Sequence, residues 1–248
     1  MLYFKRSHKY FSVIEPILKK YRIPDDFKYL AVIESGLENV VSPSGAAGFW
    51  QIMKETGREY GLEVNKEIDE RYNLEKATVV ACEYLQKAYN KFGNWTMAAA
   101  SYNIGINGAS RIIKEQATNN YYNLYLNSET SQYIFRLIAI KEIMRNPTMY
   151  GFRFRDKDLY TIQNYRTIQV DSTIANLSNF AKSHNVNYKL LKQFNPWLRS
   201  KSLPDKSRRK YFLKIPTDTD SIVFDNIEVE SYFYLHQKNI FLFQNYNS

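Results

Sequence analysis

Cysteine and histidine are scarce in this chain of 248 residues, and their scarcity excludes several kinds of site. The single cysteine, Cys82, excludes an intrachain disulfide, and its place in a helical run predicts an inert thiol in the core. The three histidines, His8, His184 and His236, form no cluster with metal-ligand spacing, so we expect no metal and no other cofactor. No Ser–His–Asp or Cys–His arrangement typical of a peptidase is visible either.

Long apolar runs are also absent. No segment approaches the length of a transmembrane helix, and the N-terminus lacks the basic region and apolar stretch of a signal peptide. The formal charge of +9 favours an anionic partner, but no helix-turn-helix, zinc-finger or RNP-type pattern accompanies it, so nucleic acid is not expected. The basic cluster at residues 206–210 is interpreted as a solvated turn.

The pattern of apolar residues predicts a mainly α fold with two parts. Helical spacing dominates up to about residue 147, whereas short β-like runs appear after Gly151. We therefore predict an all-helical domain over residues 1–150 and a small α+β module over 160–216, ordered strand, helix, helix, strand. Residues 217–248 are expected to form extra strands or a truncated second module. In detail, we predict a first helix over 7–21, a cap at Thr130 for the last long helix, and a helix opening at Asp171.

Glu34 is the most informative residue of the chain. Phe27, Leu30 and Ala31 mark one apolar helix face at positions i, i+3 and i+4, and Glu34 occupies i+7 on that face, just before Gly36. A carboxyl group there is poorly solvated and sits at the negative end of the helix dipole, and both effects raise its pKa. A carboxylic acid that is still protonated near neutral pH can act as a general acid. On spacing alone, a solvated glutamate at a helix end stays an alternative.

Two further segments combine small residues with aromatic and amide side chains. Residues 42–53 form a loop rich in Gly and Ser, with Trp50, expected to present an exposed flat face, and Gln51, which offers a donor and an acceptor. Residues 99–105 form a small-residue helix that ends in Tyr102 and Asn103 before a glycine. Aromatic faces and polar tips suit a sugar, whose ring has apolar C–H faces and hydroxyl edges.

Four short elements, in order over about residues 10–147, carry a resemblance to a known family. They are Glu34-Ser35-Gly36; Gly48-Phe49-Trp50-Gln51 followed by Met53; Ser101-Tyr102-Asn103-Ile104-Gly105; and Glu129-Thr130-Ser131-Gln132-Tyr133. The ordered set resembles the lytic transglycosylases with a goose-lysozyme-like fold, the soluble lytic transglycosylase family, and within it the membrane-bound type D branch. Ser101 stands where the family pattern usually has alanine.

The resemblance implies a substrate and a mechanism. The substrate would be the β-1,4 bond between N-acetylmuramic acid and N-acetylglucosamine in peptidoglycan. Glu34 would protonate the leaving oxygen and then remove the proton of the muramoyl 6-hydroxyl, giving a 1,6-anhydro product without water. Ser35 is expected to support the helix end, and Glu129 either to cap a helix or to act in the site. The implied substrate-binding residues are Ser42, Phe49, Trp50, Gln51, Met53, Tyr102, Asn103 and Tyr133.

The α+β module over residues 165–216 is similar to a LysM module, a small carbohydrate-binding fold. The match is partial, because Val170 stands where the usual pattern has glycine. The similarity implies a site for N-acetylglucosamine-type sugars. Its candidate residues are Asp171, Ser172, Thr173, Asn195 and Pro196.

Two alternatives to the transglycosylase stay open. A goose-type hydrolase on the same fold would need a second, water-activating carboxylate, and no second acidic residue is matched to that role. A non-catalytic peptidoglycan-binding protein would use the LysM-like module alone. We expect peptidoglycan glycan strands as the partner, a monomer, and a location in the bacterial periplasm or cell envelope, with a leader or lipid anchor already removed from the chain.

Overall fold

The computed structural model describes residues 1–204 and 209–217, which fall into two compact units. The first unit comprises Met1–Ile162 together with Pro196–Ser200, and the second comprises Gln163–Asn195 and the described residues from Lys201 onward. The interpretation of residues 206–208 as part of a solvated turn lies outside the described residues. So does the expectation of extra strands in the tail beyond Thr217.

The first unit is helical, as predicted. Its α-helices are α1 (Leu2–Lys20), α2 (Lys28–Ser35), α3 (Lys54–Glu59), α4 (Leu74–Phe92), α5 (Trp95–Ile104), α6 (Ile106–Gln116) and α7 (Ser128–Arg145). The predicted start of the first helix at residue 7 is wrong, because α1 begins five residues earlier. Phe4 is buried on that extra turn and packs against the rings of Phe152 and Phe154, with centroids 5.2 and 5.0 Å away. None of the described helices is long and apolar enough to cross a lipid bilayer.

The core of the first unit is built around α5. Five consecutive residues of this helix, from Met97 to Ser101, are buried, so the helix is enclosed on all sides. Four of the five, the three alanines and Ser101, have small side chains that let α4, α6 and α7 pack closely against the helix. Asn94 caps α5 by accepting from the backbone N–H of Met97 at 2.7 Å, and the side chain of Asn73 caps α4 in the same way. Cys82 is buried in this core, and burial raises its pKa to about 12, so its thiol is inert as expected.

Helix α7 lies against α2 and α5 and brings its side chains to the end of α2. The prediction that Thr130 caps this helix is wrong. Asn127 is the cap, and its side chain accepts from the backbone N–H of Thr130 at 2.8 Å. The hydroxyl of Thr130 instead donates to Oδ1 of Asn103 on α5 at 2.9 Å. Thr130 is therefore used for a contact between helices rather than for a helix end.

The second unit has the predicted order of strand, helix, helix, strand. Strands β1 (Tyr165–Val170) and β2 (Tyr211–Pro216) pair antiparallel, with Tyr165 opposite Pro216 and Val170 opposite Tyr211. Between them lie α8 (Leu177–Ser183) and α9 (Tyr188–Phe194).

The predicted helix opening at Asp171 is wrong, because α8 begins six residues later. Asn176 is the cap of α8, with its side chain accepting from two backbone N–H groups. Before it, Ile174 exchanges two backbone hydrogen bonds of 2.9 Å with Leu203. This pairing holds the segment extended, so a helix cannot start there.

Candidate active site

Glu34 lies at the next-to-last position of α2, and Gly36 ends the helix in a left-handed conformation (φ 63°). Phe27, Leu30 and Ala31 are buried on the predicted face, whereas the side chain of Glu34 is half-buried. Desolvation by this burial raises the pKa of Glu34 above its ordinary value. The sequence-based expectation of a poorly solvated acid at the end of α2 is therefore confirmed.

Helix α7 supplies three side chains that surround this acid. Glu129, Tyr133 and Arg136 are spaced i, i+4 and i+7, so they share one face of the helix. The Oη of Tyr133 donates a hydrogen bond to Oε1 of Glu34. That hydrogen bond and the charge of Arg136 lower the pKa of Glu34, and the charge of Glu129 raises it, but desolvation is the largest of these effects. Sequence reasoning did not identify Arg136 as part of the site.

The phenols of Tyr102 and Tyr133 remain hydrogen-bond donors at any physiological pH. Burial raises the pKa of both well above the ordinary value, and the nearby charge of Glu34 adds to the rise. Tyr102 donates to the backbone carbonyl of Trp50 at 2.8 Å, and its ring packs edge-on against Tyr84, with centroids 5.4 Å apart. Tyr102 therefore ties α5 to the glycine-rich loop next to the acid.

The loop over residues 42–53 is joined to the end of α2 by Ser35 and is held by further polar contacts of its own residues. Ser35 donates to the carbonyl of Phe49 at 2.8 Å, which fits its expected supporting role. Gln51 donates through Nε2 to the carbonyls of Val40 and Gly48 at 3.1 and 2.9 Å. No described residue donates to its Oε1, which can accept from a sugar hydroxyl. The hydroxyl of Ser42 accepts from the backbone N–H of Ala46 at 3.0 Å. At the other end of the loop, 40% of the surface of Met53 is exposed.

The expectation that Trp50 presents an exposed face is wrong. Its side chain is fully buried, and its Nε1–H donates to Oγ1 of Thr78 on α4 at 2.8 Å. Phe49 is buried as well and packs edge-on against Tyr10. Because the indole N–H of Trp50 has a hydrogen-bond partner, burying this side chain costs little free energy. Trp50 and Phe49 therefore support the loop from its buried side.

A buried ion pair that the sequence did not reveal supports the same loop. Asp69 accepts from Nε and Nη2 of Arg71 at 2.9 and 2.7 Å, and Nη1 of Arg71 donates to the carbonyls of Gly45 and Ile52 at 2.8 and 3.1 Å. Gly48, with φ 80°, lies so close that a Cβ there would meet the Arg71 carbonyl at 2.1 Å. In the sequence, Asp69 and Arg71 flank Glu70, and three consecutive charged residues are typical of a solvated surface. The sequence therefore did not predict a buried ion pair here.

Asn103 orients a second carboxylate rather than Glu34. Its Nδ2 donates to Oε1 of Glu129 at 3.0 Å, and its Oδ1 accepts from Thr130 at 2.9 Å. The predicted capping role of Glu129 is wrong, because Asn127 caps α7. Glu129 therefore stands as a fixed anion close enough to Glu34 to raise the pKa of that acid.

The candidate sugar site of the second unit is only partly accessible. Asp171, Ser172 and Thr173 are exposed on the loop between β1 and α8. The expectation for Asn195 conflicts with its environment, since it is fully buried and its amide is used by the backbone. Its Nδ2 donates to the carbonyls of Leu191 and Lys214, and its Oδ1 accepts from the N–H of Lys214. Asn195 thus joins α9 to β2. Pro196, which is half-buried, belongs to the segment of the first unit.

Comparison with known proteins finds two domain families in this chain. The transglycosylase SLT domain matches residues 12–125, and the soluble lytic transglycosylase C-terminal LysM-like domain matches residues 166–219. Membrane-bound lytic murein transglycosylase D of Escherichia coli K12 is 28% identical over 207 residues, which cover 80% of this chain and 44% of that protein. The chain therefore spans less than half the length of the curated relatives it matches.

Solved structures of two transglycosylases are similar to part of this chain. The 70 kDa soluble lytic transglycosylase of Escherichia coli is 23% identical with a TM-score of 0.48, over 56% of this chain and 24% of that chain. Lytic transglycosylase Slt of Pseudomonas aeruginosa is 19% identical with a TM-score of 0.46, over 64% and 27%. The two domain matches show that the chain carries a transglycosylase SLT domain followed by a LysM-like domain of the soluble lytic transglycosylase type.

Proposed function

We propose that this chain is a peptidoglycan lytic transglycosylase that cleaves the β-1,4 bond between N-acetylmuramic acid and N-acetylglucosamine. The observation that carries the proposal is Glu34, a carboxyl group whose pKa is raised by burial and whose Oε1 accepts from Tyr133. Since Tyr133 occupies one carboxyl oxygen, Oε2 can carry the proton for the glycosidic oxygen. The SLT domain and the similarity to a lytic murein transglycosylase of Escherichia coli support the proposal.

Glu34 acts twice in the proposed reaction. It first protonates the leaving oxygen, and the resulting carboxylate then takes the proton of the muramoyl 6-hydroxyl as that oxygen attacks its own anomeric carbon. The product is a 1,6-anhydro sugar, and no water enters. Tyr133 holds the carboxyl group in place, and Arg136 favours the ionised form that exists between the two steps.

The proposed substrate contacts lie on the loop over residues 42–53 and on the second unit. Gln51 through Oε1, Ser42 and the exposed Met53 are proposed to contact the sugars along the loop. Phe49 and Trp50 shape that loop from within, and Asn103 acts through Glu129. In the second unit, the exposed residues 171–173 are proposed to bind N-acetylglucosamine-type sugars. The proposed substrate implies an enzyme of the bacterial periplasm or cell envelope, and we propose that it acts as a monomer.

A goose-type hydrolase is the second candidate, and one observation favours it. Glu129 is a second carboxylate near Glu34, and Asn103 holds it in place. Such a group could remove a proton from an attacking water, which the transglycosylase does not need. The two mechanisms therefore differ in whether water appears in the product.

Mass spectrometry of the soluble products from purified peptidoglycan decides between these mechanisms. We expect muropeptides that end in 1,6-anhydro-muramic acid. Products heavier by one water, with reducing ends, would instead establish the hydrolase and refute the proposal. The Glu34→Gln variant should release no product, because an amide cannot donate the proton, whereas Glu59→Gln, which alters a surface ion pair with Lys87, should be fully active. Binding of the wall by the wild type without any release would indicate a non-catalytic binding protein.

A further inference from the structure

Arg136 lies next to the acid and uses little of its hydrogen-bonding capacity within the protein. The side chain is exposed on α7. Its one hydrogen bond among residues 1–204 and 209–217 runs from Nη2 to the carbonyl of Glu129, at a distance of 3.5 Å. A guanidinium carries five N–H donors in a planar fork, a shape that matches the two oxygens of a carboxylate. Most of these donors therefore remain available to another molecule.

The position of Arg136 is fixed relative to Glu34 by Tyr133. Tyr133 and Arg136 are one turn apart on the same face of α7, and the guanidinium carbon lies 5.8 Å from the centre of the Tyr133 ring. A cation over an aromatic face is attracted to it, which limits where the guanidinium can go. Because the Oη of Tyr133 donates to Glu34, this contact keeps the guanidinium close enough to act on the charge of that acid.

The charge of Arg136 does not help the first chemical step. A general acid must be protonated, and a nearby cation lowers the pKa of Glu34 and so favours the ionised form. Besides favouring the ionised acid between the two steps, a cation at this position can bind an anionic group of the substrate. The proposed substrate carries suitable anions there, because each N-acetylmuramic acid bears a lactyl group whose carboxyl is either free or joined to a peptide with carboxylates of its own.

We propose that Arg136 binds a carboxylate on the lactyl group or the peptide of the muramic acid beside the cleaved bond, and thereby makes the enzyme select strands with that charge. The proposal rests on the proposed function, since it takes the muramoyl strand as the ligand. A fork-shaped, charge-assisted contact is stronger than a neutral hydrogen bond. Its solvent exposure keeps the effect moderate.

The test measures binding of soluble glycan strands by titration calorimetry, with full-length protein carrying Glu34→Gln to prevent turnover. Three substrates are compared: peptide-bearing strands, the same strands after carbodiimide-driven amidation of their carboxylates, and strands stripped to the free lactyl group. Adding Arg136→Gln should weaken binding of peptide-bearing strands about three- to tenfold and leave binding of amidated strands unchanged. Arg136→Lys should recover part of the loss. In peptide-bearing strands the lactyl carboxyl is part of an amide, so a loss confined to those strands assigns a peptide carboxylate. A loss on stripped strands as well shows that Arg136 also binds a free lactyl carboxylate.

The matched control is Arg111→Gln, which removes the same charge from an exposed arginine of α6 that pairs with Glu115. It should bind all three strands as well as the parent protein does. Equal weakening on native and amidated strands, no weakening on either, or the same loss with Arg111→Gln would overturn the proposal. Because this binding needs no bond cleavage, its outcome is separate from the product analysis: lack of 1,6-anhydro ends would refute the transglycosylase and leave the charge selectivity of Arg136 standing.

Discussion

The buried pair of Asp69 and Arg71 offers a demanding test of how the glycine-rich loop is held. The two side chains are only 11% and 9% exposed, and the arginine also satisfies the carbonyls of Gly45 and Ile52. Asp69→Ala leaves a buried guanidinium without its counter-charge, which costs about 3–5 kcal/mol. A domain is typically stable by about 5–15 kcal/mol, so this single change removes a large part of the total.

Urea unfolding followed by far-UV circular dichroism measures this effect. With a slope of about 2 kcal/mol per molar urea, the midpoint of the helical unit should fall by roughly 2 M. The control Glu59→Ala breaks an ion pair with Lys87 whose partners are 62% and 57% exposed, and it should leave the midpoint unchanged. The double variant Asp69→Ala/Arg71→Met should recover part of the loss because no buried charge remains. An unchanged midpoint for Asp69→Ala would refute this account of the loop.

Two further predictions concern the same site. Gly48→Ala forces a positive φ on alanine and places its Cβ 2.1 Å from the Arg71 carbonyl, so we expect at least about 2 kcal/mol of destabilisation by urea unfolding. An unaltered midpoint would show that the loop moves freely. Glu129→Gln removes an anion that raises the pKa of Glu34, so the loss of kcat/KM at high pH should begin at a lower pH. Arg136→Gln should move the start of this loss of kcat/KM to a higher pH. A shift in the same direction for Glu129→Gln and Arg136→Gln would contradict the electrostatic reasoning.

Features that depend on neighbours along the chain could be predicted from the sequence. Asn73 and Asn94 cap their helices because the acceptor and the N–H groups it serves lie within three residues. The placement of Glu34 at i+7 on an apolar face follows from helix periodicity, and Gly36 ends that helix. The family resemblance added the order of the motifs, and the SLT domain match over residues 12–125 spans the first three of them.

Errors arose where a distant partner decided the outcome. Thr130 has the chemistry of a cap, but Asn103 on another helix takes its hydroxyl. Trp50 and Asn195 were expected to face a ligand. Both are buried instead, because a threonine hydroxyl pairs with Trp50 and a backbone group far along the chain pairs with Asn195.

The sequence by itself therefore determined the helices, the α+β module and the acid, because periodicity, caps and motifs act over a few residues. Only the tertiary structure decided which side chains surround that acid. The contacts of Glu34 with α7 and the contacts of Arg71 with the loop join residues far apart in sequence. Such contacts depend on packing and on the burial of polar groups with their partners, which no local pattern encodes.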